Sequence, residues 1–433
     1  MSCPDICGWS ALAPEAARFS VLKGALQADY VIIGGGFTGL AAARRLAEGE
    51  PQARIILIDG KRIGGGASAR NSGFAVANES PGHARLDNPE ELAAFMAMNR
   101  IDHAGVAELR RLVKDNRISC QWEDTASIHA AHDPKNFNKL RDHAEAFRGL
   151  GLDARLIEGA DLAKRLGTGF YELGVESRGG ALLQPAMLAR GLAATLPETV
   201  LCFEDTPVQK ISRAGGSWKV QVAGGSLSTP HVIVAVNAFF PRLGLKRLRV
   251  FPLALTASLT RPLTAAEEDE IGHPEPWGVL SPQSFGATMR LTQDRRVLIR
   301  NTAEYRPSGI DGALLMARRK QHGEGLNKRF PFLDESAIAY SWSGTICVSR
   351  NARPVFEQSQ PGLYLCGGYN AAGVSRGAIM GRLIAELALG GQSELLSHVL
   401  NLAKPNLIPP RPFFDIGVRL RLAAARTAAQ SER

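Results

Sequence analysis

The pattern of apolar positions is most telling near the N-terminus. Tyr30, Val31, Ile32 and Ile33 form an unbroken run that feeds into Gly34-x-Gly36-x-x-Gly39. A helix-like run, Leu40 to Leu46, follows, and a second apolar run, Ile55 to Ile58, closes on Asp59, 20 positions after Gly39. Short apolar runs bounded by glycine read as strands, so the order predicts strand, glycine turn, helix, strand. In that context the glycine spacing is a dinucleotide-binding fingerprint. Gly34 permits the tight turn, Gly36 lets the backbone approach a pyrophosphate, and Gly39 lets helix and strand pack closely. The helix start offers N–H groups and a positive dipole end to phosphates. Asp59 is placed to accept hydrogen bonds from ribose hydroxyls.

Farther along, 1–28 reads as an N-terminal extension with a short helix. Gly60 to Gly73 carries five glycines and reads as a loop. Glu90 to Asn116 predicts a long helix whose stripe is Leu92, Phe95, Met96, Val106, Leu109 and Val113, interrupted by Asn99 and His103. Trp122 to Ala131 is strand-like, Pro134 to Leu150 and Asp161 to Leu166 are helical, and Pro185 to Leu196 is a further helix. Val200 to Phe203 is a strand. Val208 to Ile211, Trp218 to Val222 and His231 to Val236 look like a small β-meander returning to the main sheet. Residues 250–305 are β-rich, and Ala313 to Asn327 is helical. Leu363 to Cys366 is a last strand, followed by a glycine-rich turn and a helix from Val374 to Leu389. From Lys404 the tail is proline-rich and basic.

Composition narrows the class. The 433 residues are 45% hydrophobic and 21% charged, enough for a large core in two domains, and carry a net charge of +9. The charge is scattered. Arg242, Lys246, Arg247 and Arg249, and Arg318 to Lys320, read as solvated faces, with a basic funnel for an anion as the other reading. No nucleic-acid module is present. The six cysteines (Cys3, Cys7, Cys120, Cys202, Cys347, Cys366) show no metal-ligand spacing, so no metal is expected. Neither a signal-peptide pattern nor an apolar run of membrane length occurs, and a reducing, cytoplasmic setting is the expectation.

Two strand–glycine turn–helix features, one at each end, suit a long cofactor gripped at both ends. The residues that form them resemble the D-amino-acid-oxidase-like family, also called the glycine oxidase/sarcosine oxidase superfamily. VIIGGGFTGL, Ile63 to Gly73 (IGGGASARNSG) and GLYLCGGYNAAGV carry the resemblance, with VIVAVNAF at 232–239 in support. It spans about 29–395. The γ-glutamylputrescine-oxidoreductase-like group is the most similar, on MRLTQDRRVLIR (289–300) and SIHAA (127–131).

The resemblance implies an α/β fold: a Rossmann-like FAD-binding domain of the GR2 type, with an interleaved α+β substrate domain on a mostly antiparallel sheet. The FAD-binding domain would take 29–85, 180–240 and 340–400, the substrate domain 86–179 and 241–339, and the basic tail 401–433. Gly34, Gly36, Phe37, Thr38, Gly39 and Asp59 would hold the ADP half, with Gly60, Lys61 and Arg62 near the adenosine. Gly66, Ala67, Ser68, Arg70, Asn71, Ser72 and Gly73 would line the pyrophosphate and the approach to the isoalloxazine. Val208 would lie near the adenine, and Asn237 and Ala238 at the strand end that reaches the cofactor. Gly367, Gly368, Gly373, Val374 and Ser375 would face the flavin N1/O2 edge, where a helix start favours negative charge. The chain departs from the family pattern at Asn370-Ala371-Ala372-Gly373, where relatives often have Gly-His-Gly, and at Asp59, where Glu is commoner. Cys347 is offset from the position of covalent attachment, so non-covalent FAD is expected.

The implied reaction is oxidation of a C–N bond, with hydride passing from the carbon of a neutral amine to flavin N5. The resulting imine hydrolyses or stays cyclic. Polyamine derivatives, secondary amino acids, D-amino acids and aminophosphonates all fit as substrates, and oxygen or a quinone as electron acceptor. Arg290 and Arg300 are candidates to clamp a carboxylate. On a single strand their even spacing would put both on one face, and a turn near Asp294 would void that argument. A surface or interdomain ion pair is the competing reading. Tyr305 and Trp342 are candidate pocket walls or core residues, Phe74 and Asn78 candidate borders of the flavin, and Asn370 a candidate substrate contact. A flavoprotein acting on a non-amine substrate and a non-catalytic flavin-binding subunit are the alternatives.

Overall fold

The computed structural model describes residues 4–78, 87–283 and 285–433; Cys3 lies outside them. Its central sheet has six strands in the order Val200–Phe203, Ile55–Ile58, Tyr30–Ile33, His231–Val234, Leu363–Gly367, Val355–Gln360, all parallel but the last. Strand alternation divides its apolar residues between two cores. Tyr30, Ile32, Ile55, Leu57 and Ile233 face helices Phe37–Gly49, Pro185–Ala194 and Ser375–Ala388. Val31, Ile33, Ile56, Ile58, Val232 and Val234 face Trp218, Val220 and Leu227 of a separate four-stranded sheet. Burial on both faces explains why these strands are unbroken apolar runs.

Small residues let the helices close in. A Cβ on Gly381 would stand 2.2 Å from Thr38 O, and one on Gly105, within the long helix Pro89–Asp115, 2.2 Å from Ser375 O.

The second large sheet has eight strands: Ile338–Ser349, Val250–Thr260, Val297–Glu304, Thr288–Leu291, Trp277–Leu280, Ser127–Ala131, Leu173–Ser177, Ala154–Glu158. It is antiparallel except where Trp277–Leu280 meets Ser127–Ala131. One face buries Met289, Val297 and Ile299 against Leu326 and Phe330, at and just beyond helix Gly312–Arg329. The opposite face meets the segment after the first glycine turn, where a Cβ on Gly278 would stand 2.4 Å from Phe74. Phe74–Ala75, Ala181–Leu182 and Glu123–Asp124 form a small sheet beside it.

The structure revises several expectations. Strand Ile338–Ser349 pairs with Val250–Thr260 along its length, so 340–349 belongs to the eight-stranded sheet and the chain rejoins the six-stranded sheet at Val355. The meander gains Gly225–Thr229, with Gly24–Gln27 alongside it in parallel. These strands lack apolar runs, and Gly225 has no room for a side chain: its Cβ would lie 1.8 Å from Gly24 O. Within the β-rich stretch a short helix, Ala265–Ile271, is closed by a capping box of Thr264 and Glu267. The N-terminal segment carries the expected short helix, Gly8–Leu12, and is packed down. Trp9 is 1% exposed, stacks edge-on against Trp342, and donates from Nε1 to Asn71 O.

Candidate functional site

The first glycine turn is held by the acid that ends the neighbouring strand. Asp59 accepts from Gly35 N–H and Lys61 N–H, each at 2.7 Å, and each oxygen keeps a lone pair for a ribose hydroxyl. Burial pushes its carboxyl above the usual carboxylate range against the pull of those two donors. Gly36 precedes helix Phe37–Gly49 with no cap of its own; instead Phe37 N–H donates to Ser68 Oγ at 3.0 Å. A Cβ on Gly36 would stand 2.7 Å from that oxygen. Thr38 and Gly39 N–H groups have no intrahelical partner, and no acidic residue lies in the first turn.

The loop that follows is braced from within. Asn71 Nδ2 donates to Ala67 O and Ser68 O, and its Oδ1 accepts from Gly73 N–H, so the side chain holds the loop rather than pointing out of it. Arg70 pairs with Asp5 and donates to Ser343 O, turning it toward the N-terminal segment. Arg62 donates to Ala16 O at 2.7 Å, while the Lys61 side chain and Gly60 are exposed. Thr206 N–H donates to Asp59 O, which brings the segment leading to half-buried Val208 beside the acid. Gly66 is exposed, with no atom within 4 Å of its Cβ position.

The second turn is closed by backbone geometry. Gly368 N–H is spent on Asn237 Oδ1 at 3.0 Å, so it is not a donor for a ligand. Gly367 packs on Asn237 and Phe240, and Ala238 is buried. Asn370 accepts from Ser349 N–H and donates to Gly368 O, which makes it a brace of the turn. Asn370 (φ 52°) and exposed Ala371 (φ 82°) both adopt the left-handed conformation. The open donors lie at Gly373, Val374 and Ser375, where helix Ser375–Ala388 starts with neither a side-chain cap nor an acid. Tyr369 joins the two turns: its hydroxyl is 2.8 Å from Thr38 Oγ1.

Arg290 and Arg300 stand on the eight-stranded sheet. They lie on two strands joined at Thr292–Arg296, so the single-strand argument fails, yet the register restores its conclusion. Arg300 pairs with Thr288, and Arg290 with Leu298, which puts all four on one face. Arg290 Nη1 donates to Leu183 O at 2.6 Å and to Gly73 O and Ser72 O; its Nε has no acceptor among the described residues. Arg300 donates to Thr288 Oγ1. Neither pairs with a carboxylate among the described residues, and burial lowers each to about 10, so both stay cationic at neutral pH. Arg290 is therefore a clamp on the Arg-Asn loop.

The other candidates fall away from this face or brace it. Tyr305 bonds Asp415 and packs on Phe251 and Phe414, remote from the turns. Trp342 is core and donates to Arg70 O. Asn78 is buried between Arg178 O and His103. Phe74 lies under Gly278.

Sequence reasoning missed several residues. Glu204 is buried, and accepts from Ile63 N–H and Phe19 N–H. It had a signal, since VLCFE ends on an acid just as IILID does. Asp102 and Arg376 form a buried bidentate pair, both contacts 2.7 Å, between the long helix and helix Ser375–Ala388. Trp9, under the Arg290 guanidinium at 5.3 Å, had no periodic signal.

Two uncapped helix starts, a glycine turn and an acid at the end of the adjoining strand fit a dinucleotide such as FAD. Comparison with known proteins agrees. The DAO family model, described as FAD dependent oxidoreductase, matches residues 29–387. A probable oxidoreductase OrdL of Rhizobium meliloti (strain 1021) is 28% identical over 434 residues, covering 97% of this chain and 95% of that protein. The γ-glutamylputrescine oxidoreductase of Escherichia coli (strain K12) is 26% identical, covering 91% of each. The crystal structure of glycine oxidase from Geobacillus kaustophilus superposes with a TM-score of 0.69 at 20% identity, over 85% of this chain and 96% of that one.

Proposed function

The chain belongs to the DAO family of FAD-dependent oxidoreductases, and from that premise we propose that it oxidises the C–N bond of an amine or amino acid bearing an anionic group. The observation that supports this most is the pairing of two uncapped helix starts, tied by Tyr369 and Thr38, with an eight-stranded sheet that carries half-buried, cationic Arg300 without a carboxylate partner among the described residues. A cation drawn partly out of water without a counter-ion is stabilised when an anion joins it. Glycine oxidase and γ-glutamylputrescine oxidoreductase, by their names, act on substrates that contain an amino-acid carboxylate.

FAD, when bound, supplies a two-electron acceptor for hydride from the carbon beside the substrate nitrogen. The Gly34–Gly39 turn and Asp59 would hold its ADP half. The N–H groups of Val374 and Ser375 would favour negative charge at the flavin edge. Arg300 would fix the substrate anion, while Arg290 keeps the loop above it in place. A dedicated base is not required, because binding can select the neutral amine. Cys347 supports non-covalent attachment: it is buried, and burial pushes its thiol up to about 12, away from a reactive thiolate. Oxygen or a quinone takes the electrons away.

The test is anaerobic mixing of the holoprotein with neutral amines, amino acids and N-acylated diamines that carry a carboxylate, following the oxidised-flavin absorption band. Bleaching by carboxylate-bearing amines is the expected result, and readmitted air separates oxidase from dehydrogenase. Bleaching by simple amines alone removes the role given to Arg300. A flavin that no amine bleaches overturns the reading.

A further inference from the structure

Helix Phe413–Ala428 is apolar on two sides. Phe414, Val418 and Leu422 point inward against Phe251 and Tyr305. Phe413, Ile416 and Leu420 point outward and are 56–73% exposed. At 100° per residue the outward three fall in one stripe, and Arg419 and Arg421 stand 100° to either side of Leu420. Leu248 and Leu407, before the helix, are also exposed, and Ile408 N–H donates to Leu248 O at 2.8 Å. The charge around the helix is one-sided. From Leu395 to Ser431 the only acid is Asp415, against Lys404, Arg411, Arg419, Arg421 and Arg426. Asp415 is occupied by the Tyr305 hydroxyl and by Arg411.

We propose that this surface docks on a bilayer bearing anionic headgroups. An exposed apolar stripe flanked on both sides by arginine is the form of a helix that lies in the membrane interface, and each arginine near an anionic leaflet strengthens binding. None of the described helices is long and apolar enough to cross a membrane, so the contact lies in the plane of the surface. A second copy of the chain is the poorer occupant. A two-fold interface would set arginine against arginine with no exposed acid from this segment to answer them. Beside the stripe, at Ala423 and Thr427, a cleft of about 460 Å³ carries Lys328, Arg426 and Arg433 together with Glu324, and gives a headgroup phosphate three cations to approach.

The test is co-sedimentation of the FAD-loaded full chain with vesicles of phosphatidylcholine alone or mixed with phosphatidylglycerol. Binding to the mixed vesicles, weakened by salt, is expected. F413S/I416S/L420S should lower partitioning by about tenfold or more, and R419Q/R421Q by about fivefold per arginine. Flavin absorbance and thermal midpoint should stay unchanged, because these side chains are exposed. Absence of binding to either vesicle overturns the proposal. So does equal binding to neutral vesicles that R419Q/R421Q leaves intact. A dimer in light scattering that F413S/I416S/L420S dissolves would overturn it in favour of the second copy.

Discussion

In the FAD-binding domain the central sheet is apolar on both faces, and its open polar groups stand at the starts of Phe37–Gly49 and Ser375–Ala388. In the substrate domain two helices that cover the large sheet have capped starts, and the polar groups lie inside. Thr264 caps Ala265–Ile271 and Asp311 caps Gly312–Arg329. Arg290, His129, His143 and His322 are meanwhile buried on or against its sheet, and Arg300 is half-buried there. A helix start costs stability when left open. The two that stay open are the two aimed at the expected cofactor. Of the other described α-helices of eight residues or more, only Phe137–Gly149 lacks both a cap and a first-turn acid, and it is entered through a turn capped by Asp133. One domain thus leaves donors unspent for a ligand, and the other stores cations and neutral imidazoles in its interior.

The largest test of that contrast is acid. Burial lowers His129 to about 4, and His143 and His322 to about 3. Unfolded histidine titrates near 6.5. Between those limits the unfolded chain binds protons that the folded chain does not, so stability is full above about pH 6.5 and falls as the pH drops toward 3–4. At pH 5 the loss is roughly 2 kcal/mol per histidine. Thermal unfolding should show the substrate domain losing roughly 10 °C or more between pH 7.5 and 5, and His322→Gln should flatten the slope. A flat profile would show that the imidazoles are not buried neutral.

Next in size is the pair that joins the domains. Arg376 sits in the first turn of an open helix start, where a cation is unfavourable, and Asp102 from the long helix neutralises it. Asp102→Ala should cost about 3–5 kcal/mol, because it strands a buried charge. Asp102→Ala with Arg376→Met should recover much of that in denaturant titrations. If the single and double variants unfold alike, the pair does not hold the helix.

Legibility followed the same divide. The parallel strands were readable because burial on both faces makes them continuous apolar runs, and the fingerprint because its glycines are needed where Gly39 leaves only 1.8 Å between its Cβ position and Gly34 O. Gly24–Gln27 and Gly225–Thr229 were not, since their pairing depends on close backbone approach rather than on apolar side chains. The site divides likewise. Asp59 follows a run that points to it. Trp9, Tyr369 and Asp102 reach their partners only through the tertiary fold, as the Tyr369–Thr38 contact across 331 residues shows. Arg290 and Arg300 share a face for a reason that even spacing does not contain, namely hairpin register.

A smaller and more pointed pair of variants separates open starts from closed ones directly. Gly36→Asp gives Phe37–Gly49 the carboxylate cap that it lacks. Its backbone (φ −83°) accepts a side chain, and Ser68 Oγ, a single rotatable hydroxyl, is the nearest obstacle. The apo protein should lose little stability. FAD affinity should fall about a hundredfold, because a negative group then occupies the place a phosphate needs. Thr264→Ala does the reverse in the substrate domain. It removes a capping box and should cost about 1 kcal/mol of stability while leaving FAD affinity unchanged. Fluorescence titration with FAD and thermal melts of both variants read the two effects separately. If Gly36→Asp binds FAD normally, the open start is not kept open for a phosphate, and the contrast between the domains is one of packing alone.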